Sequence, residues 1–472
     1  MMSSDRDTGP ERRLVDGVRR GVHSAEAITE QALQALRDSS HLNVLVGEPV
    51  QDALIRARAI DRARDAGRPL GSLAGLPVVV KDNIAVAGRP LTGASPALRG
   101  NRPSRNAGSV ARLVDAGAVV VGQTNMHELA LGVTSDNGAH GPVRNPHDTT
   151  RMSGGSSGGT AAAVAVGAVL AGLATDTGGS GRIPAAWCGT MGFRPSAGRY
   201  PGDGLLNLSP TMDSVTVMTR SLDGLALLDE VLGGERKTPA ATELSVVRLG
   251  IPHSCWADVS AEVSAGCAAA LTRFRAAGVV LVPVDLEPAQ ALNREVDLPL
   301  VAHEIVEFWS TFAAEKLGCD LPALTLRLAS PDVAERFAAL MAMPRRTAAD
   351  YAELLAKVAQ IGDFYRQMFD GLGLDAVIFP TVPVTAPPIG ATTVNLPSGE
   401  RDIFQSLTAA ETPASLAGIP ALTVPAGQDH QGLPFGLELD GPAGSDRRLI
   451  TIARTLGKLL PALPEVRAVT PR

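Results

Sequence analysis

Two short segments rich in glycine and serine hold the residues with the strongest chemical character. One covers residues 153–160 and has the sequence SGGSSGGT, and the other covers residues 176–182 and has the sequence DTGGSGR. Successive backbone N–H groups on such turns can point at an oxygen that becomes negative during acyl transfer. Their serines are therefore candidate nucleophiles, although an ordinary tight loop has the same composition.

Three familiar motifs do not fit these segments. Gly154 and Gly159 have the spacing of a phosphate-binding loop, but Thr160 stands where that loop needs a lysine for the β- and γ-phosphates. No G-x-G-x-x-G follows a strand, so a dinucleotide site is not indicated either. The nucleophile elbow G-x-S-x-G of α/β-hydrolases fails because Arg182 occupies its last position.

A lysine is the candidate general base, since the histidines form no HExxH motif and none adjoins these serines. Only five of the 43 basic residues are lysines. A lysine acts as a base when neutral, which near pH 7 means lowering its pKa by roughly 3 pH units, and burial can do this. Lys81 ends the apolar run 76–80, so a strand would carry it out of the core. A lysine at a strand end is more often a surface residue, so both interpretations stay open. The other four lie in charged or helical contexts typical of the surface: Lys237, Lys316, Lys357 and Lys458.

The elements that must position these residues alternate between short apolar runs and helical patterns. This alternation predicts an α/β protein whose sheet is covered on both faces. The expected strands are 76–80, 118–121, 278–284, 376–379, 421–424 and 435–439. The expected helices are 24–37 with Ser24 as N-cap, 50–66, 109–116, 160–171 and 445–460. Residues 285–374 are predicted to be helical and polar-faced, a candidate cap over the site.

Composition excludes several classes of protein. With 45% hydrophobic residues the chain can bury a large core, which argues against disorder. A net charge of −6 argues against general nucleic-acid binding. No linker separates domains, so residues 1–10 are expected to be a disordered tail and residues 11–472 one domain.

The sequence also predicts a cellular location. The N-terminus has no apolar stretch of the secretory kind, and the apolar run 161–174 is shorter than the ~20 residues of a membrane span. The four cysteines are expected to be isolated buried thiols in a reducing cytosol: Cys188, Cys255, Cys267 and Cys319. A cytoplasmic protein is therefore expected.

Taken together, the motifs resemble the amidase signature family. That family has a strand ending in Lys-Asp, a Gly-Gly-Ser-Ser-Gly-Gly loop before an alanine-rich helix, and Asp-x-Gly-Gly-Ser-x-Arg-x-Pro-Ala. Here these are VKDN at 80–83, GGSSGGTAAAV at 154–164 and DTGGSGRIPA at 176–185, and the likeness extends over nearly the whole chain. The resemblance implies an α/β fold, one large domain with a central mixed β-sheet flanked by helices, whose core at 70–230 carries the catalytic motifs.

The resemblance also implies a Ser-cisSer-Lys triad. Ser180 would be the acylated nucleophile, and neutral Lys81 would accept its proton through Ser156, whose bond to Gly155 is cis in the family. The backbone N–H groups of four residues would form the oxyanion hole: Thr177, Gly178, Gly179 and Ser180.

Three further residues would support the site. Ser157 would lie beside the triad, and Arg182 would pair with Asp176 to hold the second loop. One departure is Ser153, where the family usually has proline, and a looser start of the first loop is expected from it.

The stretches 125–146, 192–203 and 433–449 resemble bacterial indoleacetamide and mandelamide hydrolases in particular. They imply hydrolysis of a small primary carboxamide, of arylacetamide type, to carboxylate and ammonia without cofactor or metal. The expected partner is the small amide, not a nucleic acid or a membrane, and a homodimer is left open.

Other functions remain under consideration. A glutamine-hydrolysing subunit of a tRNA-dependent amidotransferase would use the same triad with a partner chain. A hydrolase of small dicarboxylic or urea-derived amides would favour an arginine-containing pocket. A non-enzymatic scaffold is least favoured, since all three triad positions are intact.

Overall fold

A computed structural model describes residues 9–234 and 242–466. Most of the predicted tail, residues 1–8, and the predicted surface residue Lys237 lie outside the described residues. The first helix begins at Pro10, and the N–H of Gly9 donates to Oδ2 of Asp223 at 2.9 Å. Folded structure therefore begins before residue 11, the boundary predicted from sequence.

Within the described ranges the chain forms twelve strands. They are β1 (Pro77–Lys81), β2 (Val119–Thr124), β3 (Ala171–Asp176), β4 (Met191–Arg194), β5 (Ser214–Thr219), β6 (Arg248–Pro252), β7 (Val280–Val284), β8 (Ala376–Pro380), β9 (Thr393–Leu396), β10 (Gly399–Asp402), β11 (Ala421–Gln428) and β12 (Pro434–Asp440). Ten of them form one sheet in the order β2-β1-β3-β5-β4-β11-β12-β8-β6-β7, and β9 pairs with β10 separately. The sheet is mixed, because β1 is parallel to β2 and β3, whereas β5 is antiparallel to both of its neighbours, β3 and β4.

The described residues also form sixteen α-helices. They are α1 (Pro10–Arg19), α2 (Ala25–Asp38), α3 (Ala53–Asp65), α4 (Gly108–Asp115), α5 (Gly158–Ala165), α6 (Arg182–Cys188), α7 (Leu222–Leu232), α8 (Ser254–Ala257), α9 (Ala261–Ala276), α10 (Glu287–Phe312), α11 (Leu321–Thr325), α12 (Pro331–Ala342), α13 (Ala348–Leu372), α14 (Ile403–Thr408), α15 (Thr412–Ala417) and α16 (Asp446–Gly457). Ser24 caps α2 as predicted, by accepting the N–H of Ala27.

Strand β1 shows that both faces of the sheet are covered. Its valines suit a pleated, buried strand, and successive side chains point to opposite faces. Val78 and Val80 pack into one hydrophobic cluster, whereas Val79 packs into another. The predicted α/β class, a single large domain with a mixed sheet between helices, is confirmed.

The helix predicted at 160–171 is wrong at its C-terminal end. Helix α5 ends at Ala165, and Gly167 adopts φ +73°, a left-handed conformation that glycine tolerates and that commonly follows a helix end. The chain then enters β3 at Ala171. This strand, unrecognised in the sequence, lies beside β1 and carries the second glycine-rich segment at its end.

The middle of the chain is helical, as predicted for residues 285–374. Helices α10 and α13 pack against each other, and α13 begins with a capping box between Thr347 and Asp350. Across the ranges that the structure describes, no helix is both long and apolar enough to cross a bilayer. All four cysteines are free thiols, of which Cys319 is partly exposed and the other three are buried.

Candidate active site

Lys81 is fully buried at the carboxyl end of β1. Its Nζ lies 2.7 Å from Oγ of Ser156 and 2.9 Å from Oγ1 of Thr175. Burial lowers the pKa of Lys81 to about 7, against an opposing effect of the carboxylates of Asp176 and Asp213. Near neutral pH a large fraction of this lysine is therefore uncharged and able to accept a proton.

Ser156 lies in the loop that leads into α5. The Gly155–Ser156 peptide bond is cis. A side chain at Gly155 would come within 2.8 Å of the backbone nitrogen of Ser135, so only glycine fits there. The carbonyl of Ser156 accepts hydrogen bonds from the N–H of His127 at 3.0 Å and from Oγ of Ser135 at 3.2 Å. These contacts fix the backbone that presents Ser156 to Lys81.

The start of this loop is held in place despite the replacement of the family's proline. Ser153 is buried, and its Oγ donates to the carbonyl of Gly154 at 3.2 Å. Its own carbonyl accepts the Sγ–H of Cys188 at 3.3 Å. The next serine of the segment, Ser157, donates to the carbonyl of Thr175 at 3.1 Å. The first loop is thereby tied to β3 and α6.

Ser180 lies on the second loop, between β3 and α6, and is 7% exposed. Asp176 holds this loop by accepting the N–H of Gly179 and the N–H of Gly181, each at 2.9 Å. Gly179 adopts φ +99°, which glycine alone adopts readily. In the described part of the chain, no hydrogen bond joins Ser180 directly to Ser156.

Arg182 and Asp176 form a buried ion pair beneath the loop. Nε of Arg182 lies 3.0 Å from Oδ2 of Asp176, and Nη2 lies 3.0 Å from Oδ1. Burial alone would raise the pKa of Asp176, but Arg182 and Arg194 hold it well below its usual range. Arg182 also pairs with Glu411 and Glu438, which anchors the loop to β12 and to the start of α15.

Several residues of this site were missed at the level of sequence. Thr175 binds Lys81 and also accepts a hydrogen bond from Asn83 Nδ2 at 2.9 Å. Asp213 accepts the hydroxyl of Thr177 at 2.6 Å, and burial raises the pKa of this carboxyl to about 6. Arg194 donates to the carbonyl of Asp176. Thr175 and Arg194 lie close to the sequence motifs, so the motifs could have pointed to these two residues. No feature of the sequence around Asp213 pointed to it.

A cavity of about 660 Å³ opens at Ser180. Thr177, Gly178 and Ser180 form one side of it. Helices α10 and α12, from the segment predicted as a cap, supply another part of the lining. Most of the lining is apolar: Ala130, Leu131, Val133, Leu208, Met212, Leu298, Val301, Ala339, Leu340, Met343 and Phe404.

Comparison with known proteins gives a consistent result. The Amidase family matches residues 27–450. An indoleacetamide hydrolase from Agrobacterium vitis is 34% identical over 95% of this chain and 96% of its own length. A mandelamide hydrolase from Pseudomonas putida is 35% identical over 93% of this chain and 88% of its own. A crystal structure of an amidase superposes with a TM-score of 0.85 at 32% identity, covering 95% of this chain and 99% of that one.

The fold and these relatives define an amidohydrolase, an enzyme that cleaves amide carbon–nitrogen bonds. The chain belongs to the amidase signature family, as its three motifs predicted.

Proposed function

We propose that this enzyme hydrolyses a small primary carboxamide of arylacetamide type to a carboxylate and ammonia, through an acyl-enzyme on Ser180. The observation that carries the proposal is the buried contact of 2.7 Å between Lys81 Nζ and Ser156 Oγ, beside a cavity lined by Ser180. It supports a serine nucleophile served by a neutral lysine, with no histidine in the relay.

In the first half-reaction, Oγ of Ser180 attacks the amide carbonyl. Ser156 takes the proton of Ser180 while its own proton passes to Nζ of Lys81. Collapse of the tetrahedral intermediate breaks the carbon–nitrogen bond, and the proton returns through Ser156 to the leaving nitrogen, which departs as ammonia. Because an unprotonated amide nitrogen is a poor leaving group, this return of the proton is essential.

In the second half-reaction, water replaces Ser180 on the acyl carbon. Lys81 takes the proton of the water through Ser156 as the new carbon–oxygen bond forms. The second collapse breaks the ester bond and returns a proton to Oγ of Ser180. The overall balance is amide plus water giving carboxylic acid plus ammonia, with the enzyme unchanged.

The proposed oxyanion hole uses backbone N–H groups of the second loop. The N–H of Gly179 already donates to Asp176 at 2.9 Å, so its main role in the proposal is to shape the turn. The oxyanion is assigned to the N–H groups of Thr177, Gly178 and Ser180. Removing one such donor typically costs about 3 kcal/mol of transition-state stabilisation.

An aromatic acyl group is supported by the apolar lining of the cavity. Its volume of about 660 Å³ accommodates a substituted ring, and burial of a ring is favourable at roughly 25 cal/mol per Å² of apolar surface. Two of the relatives are named for arylacetamide-type substrates, indoleacetamide and mandelamide. Both observations favour this class of substrate over glutamine, because the polar acyl group of glutamine would make few favourable contacts with the apolar wall of the cavity.

An ammonia-release screen tests the proposal. Purified enzyme is given indole-3-acetamide, phenylacetamide, mandelamide, glutamine, malonamate and a biuret-type amide, and kcat/KM is compared. The arylacetamides should be hydrolysed with the highest kcat/KM. A preference for glutamine would support the amidotransferase alternative, and a preference for malonamate or biuret would support a dicarboxylic or urea-derived substrate; either result contradicts the arylacetamide assignment.

A further inference from the structure

Three charged side chains line the cavity that opens at Ser180. They are Asp297 on α10, Arg336 on α12 and Asp402 at the start of α14. In a wall that is otherwise mainly apolar, a charged group loses hydration and needs a partner to compensate. A charged side chain that has no such partner within the protein is available to bind a ligand.

Two of the three are engaged by the protein itself. Asp402 is the N-cap of α14, and its Oδ1 accepts the N–H of Gln405 at 2.9 Å. The guanidinium of Arg336 stacks on the ring of Phe404, with its carbon 4.1 Å from the ring centroid. Arg336 also lies near Asp332, whose pKa it helps to lower.

Asp297 differs from both. Among the described residues its carboxylate forms no hydrogen bond or ion pair, and burial raises its pKa to about 6. It lies in the middle of α10, one residue before Leu298 and one turn before Val301, both of which also line the cavity. The Asp297 side chain is partly exposed at the cavity, so water from the open cavity must satisfy its carboxylate until a ligand takes the place of that water.

We infer that Asp297 is a specificity residue that accepts a hydrogen bond from a ring N–H or O–H of the substrate, remote from the scissile amide. The inference rests on the proposed function and names its substrate more closely: an aromatic amide that carries a hydrogen-bond donor on its ring. In this arrangement the apolar wall contacts the ring, Ser180 attacks the amide, and the carboxylate of Asp297 accepts the hydrogen bond from the donor on the ring.

The physical basis is the cost of leaving a polar group unmatched. A donor on the ring supplies the partner that the carboxylate lacks, whereas a ring with a methyl group at that position leaves the carboxylate unsatisfied and adds bulk. Hydrogen bonds to charged groups contribute enough to change affinity by about ten- to a hundredfold. Discrimination of that size should appear in binding, separately from the chemical step.

Equilibrium binding to the Ser180→Ala variant tests this inference without relying on turnover. Calorimetry compares indole-3-acetamide with 1-methylindole-3-acetamide, and 4-hydroxyphenylacetamide with 4-methoxyphenylacetamide. The donor-bearing member of at least one pair should bind about ten- to a hundredfold more tightly. Adding Asp297→Leu should remove that preference, and adding Asp297→Asn should retain part of it because the amide oxygen still accepts a hydrogen bond. Glu295→Leu, on the exposed side of the same helix, is the matched control and should leave both affinities unchanged.

The outcomes separate this inference from the proposed function. A preference that survives Asp297→Leu, an equal loss for both members of a pair, or no binding by any of the four amides overturns the inference. Binding with the expected preference but no ammonia release by the wild-type enzyme would instead contradict the proposed function and leave Asp297 as a ligand contact. When Ser180 is retained, the single substitution Asp297→Leu should raise KM for the donor-bearing amide and leave kcat within about twofold of the wild-type value.

Discussion

Nζ of Lys81 lies 2.7 Å from Oγ of Ser156, and both side chains are fully buried. The pair joins the carboxyl end of β1 to the loop before α5, two segments 75 residues apart in the chain. A lysine placed against a serine hydroxyl in the protein interior is expensive to keep charged. The relationship therefore links the electrostatics of burial directly to the proposed proton relay.

Replacing the nucleophile should abolish turnover and leave the fold intact. For Ser180→Ala we expect kcat to fall by about a thousandfold or more, since covalent catalysis is lost, with an unchanged circular dichroism spectrum. Ser153→Ala, the same exchange in the first loop outside the relay, should lose far less. Substantial residual activity in Ser180→Ala would contradict its assignment as nucleophile.

Activity should depend on pH through Lys81. Because burial sets its pKa at about 7, the neutral form is lost as pH falls below 7, and kcat/KM should fall about tenfold per pH unit there. Lys81→Arg should be inactive across the range, since arginine stays protonated. Near wild-type activity in Lys81→Arg would exclude the base role, and an acid limb that keeps rising up to about pH 10 would show that the pKa of Lys81 is not lowered.

Burial of Lys81 should also lower the free energy of unfolding of the enzyme. Its pKa is 10.5 when unfolded and about 7 when folded, so between these pH values the unfolded chain binds a proton that the folded chain does not, and stability rises with pH. At pH 7 the cost is about 4 kcal/mol, of which Lys81→Met should recover about half after the loss of two hydrogen bonds and imperfect packing.

Thermal unfolding measures this effect. Lys81→Met should have a higher Tm than the wild-type enzyme at pH 7, and the difference should shrink as pH approaches 10. A lower Tm for Lys81→Met at pH 7, or a difference that grows with pH, would be inconsistent with a buried lysine whose pKa is lowered to about 7.

Thr175 should position the lysine. Its Oγ1 lies 2.9 Å from Nζ of Lys81, and an oxygen acceptor there favours the charged form. Thr175→Val should lower kcat about tenfold and move the acid limb of the pH profile to lower pH. Thr190→Val, another buried threonine, is the control. A lower kcat with an unshifted acid limb would mean that Thr175 contributes packing alone.

Asp176 should stabilise both the loop and the fold. Asp176→Asn leaves the buried guanidinium of Arg182 short of one compensating charge, and breaking such a pair typically costs about 3 kcal/mol or more. The midpoint of urea unfolding should fall, and kcat/KM should drop at least tenfold as the Ser180 loop loosens. Asp148→Asn, which removes an exposed ion pair with Arg151, should change the midpoint little. Equal midpoints for the two variants would refute the structural role.

Much of the fold could be predicted where local pattern and tertiary structure agree. The β-branched run that becomes β1 and the helix capped by Ser24 both lie within a residue or two of their predicted bounds. Strand β3 was missed because its sequence AGLATD continues the alanine-rich composition of α5. Gly167 was the available stop signal, but sheet pairing with β1, not local propensity, makes residues 171–176 a strand.

Some parts of the candidate site could likewise be predicted from local sequence, and others could not. Lys81 and the two serine loops were candidates from their residue types, and the resemblance of the three motifs, in their order, to those of the amidase signature family joined them into one proposed site. The cavity could not, since Leu131, Asp297 and Phe404 come from segments more than 100 residues apart and meet only in the folded chain. Nor could the use of the Gly179 N–H by Asp176 be read from the sequence, because it depends on the turn itself.

The measurement that tests the central claim most directly is the location of the acyl group. The enzyme is mixed with p-nitrophenyl phenylacetate, whose good leaving group makes deacylation rate-limiting, quenched in acid and digested for peptide mapping by mass spectrometry. The account predicts a phenylacetyl group on Ser180 in the wild-type enzyme and none in Ser180→Ala. An acyl group on Ser156 or another residue, or turnover of the ester with no acylated peptide, would contradict it.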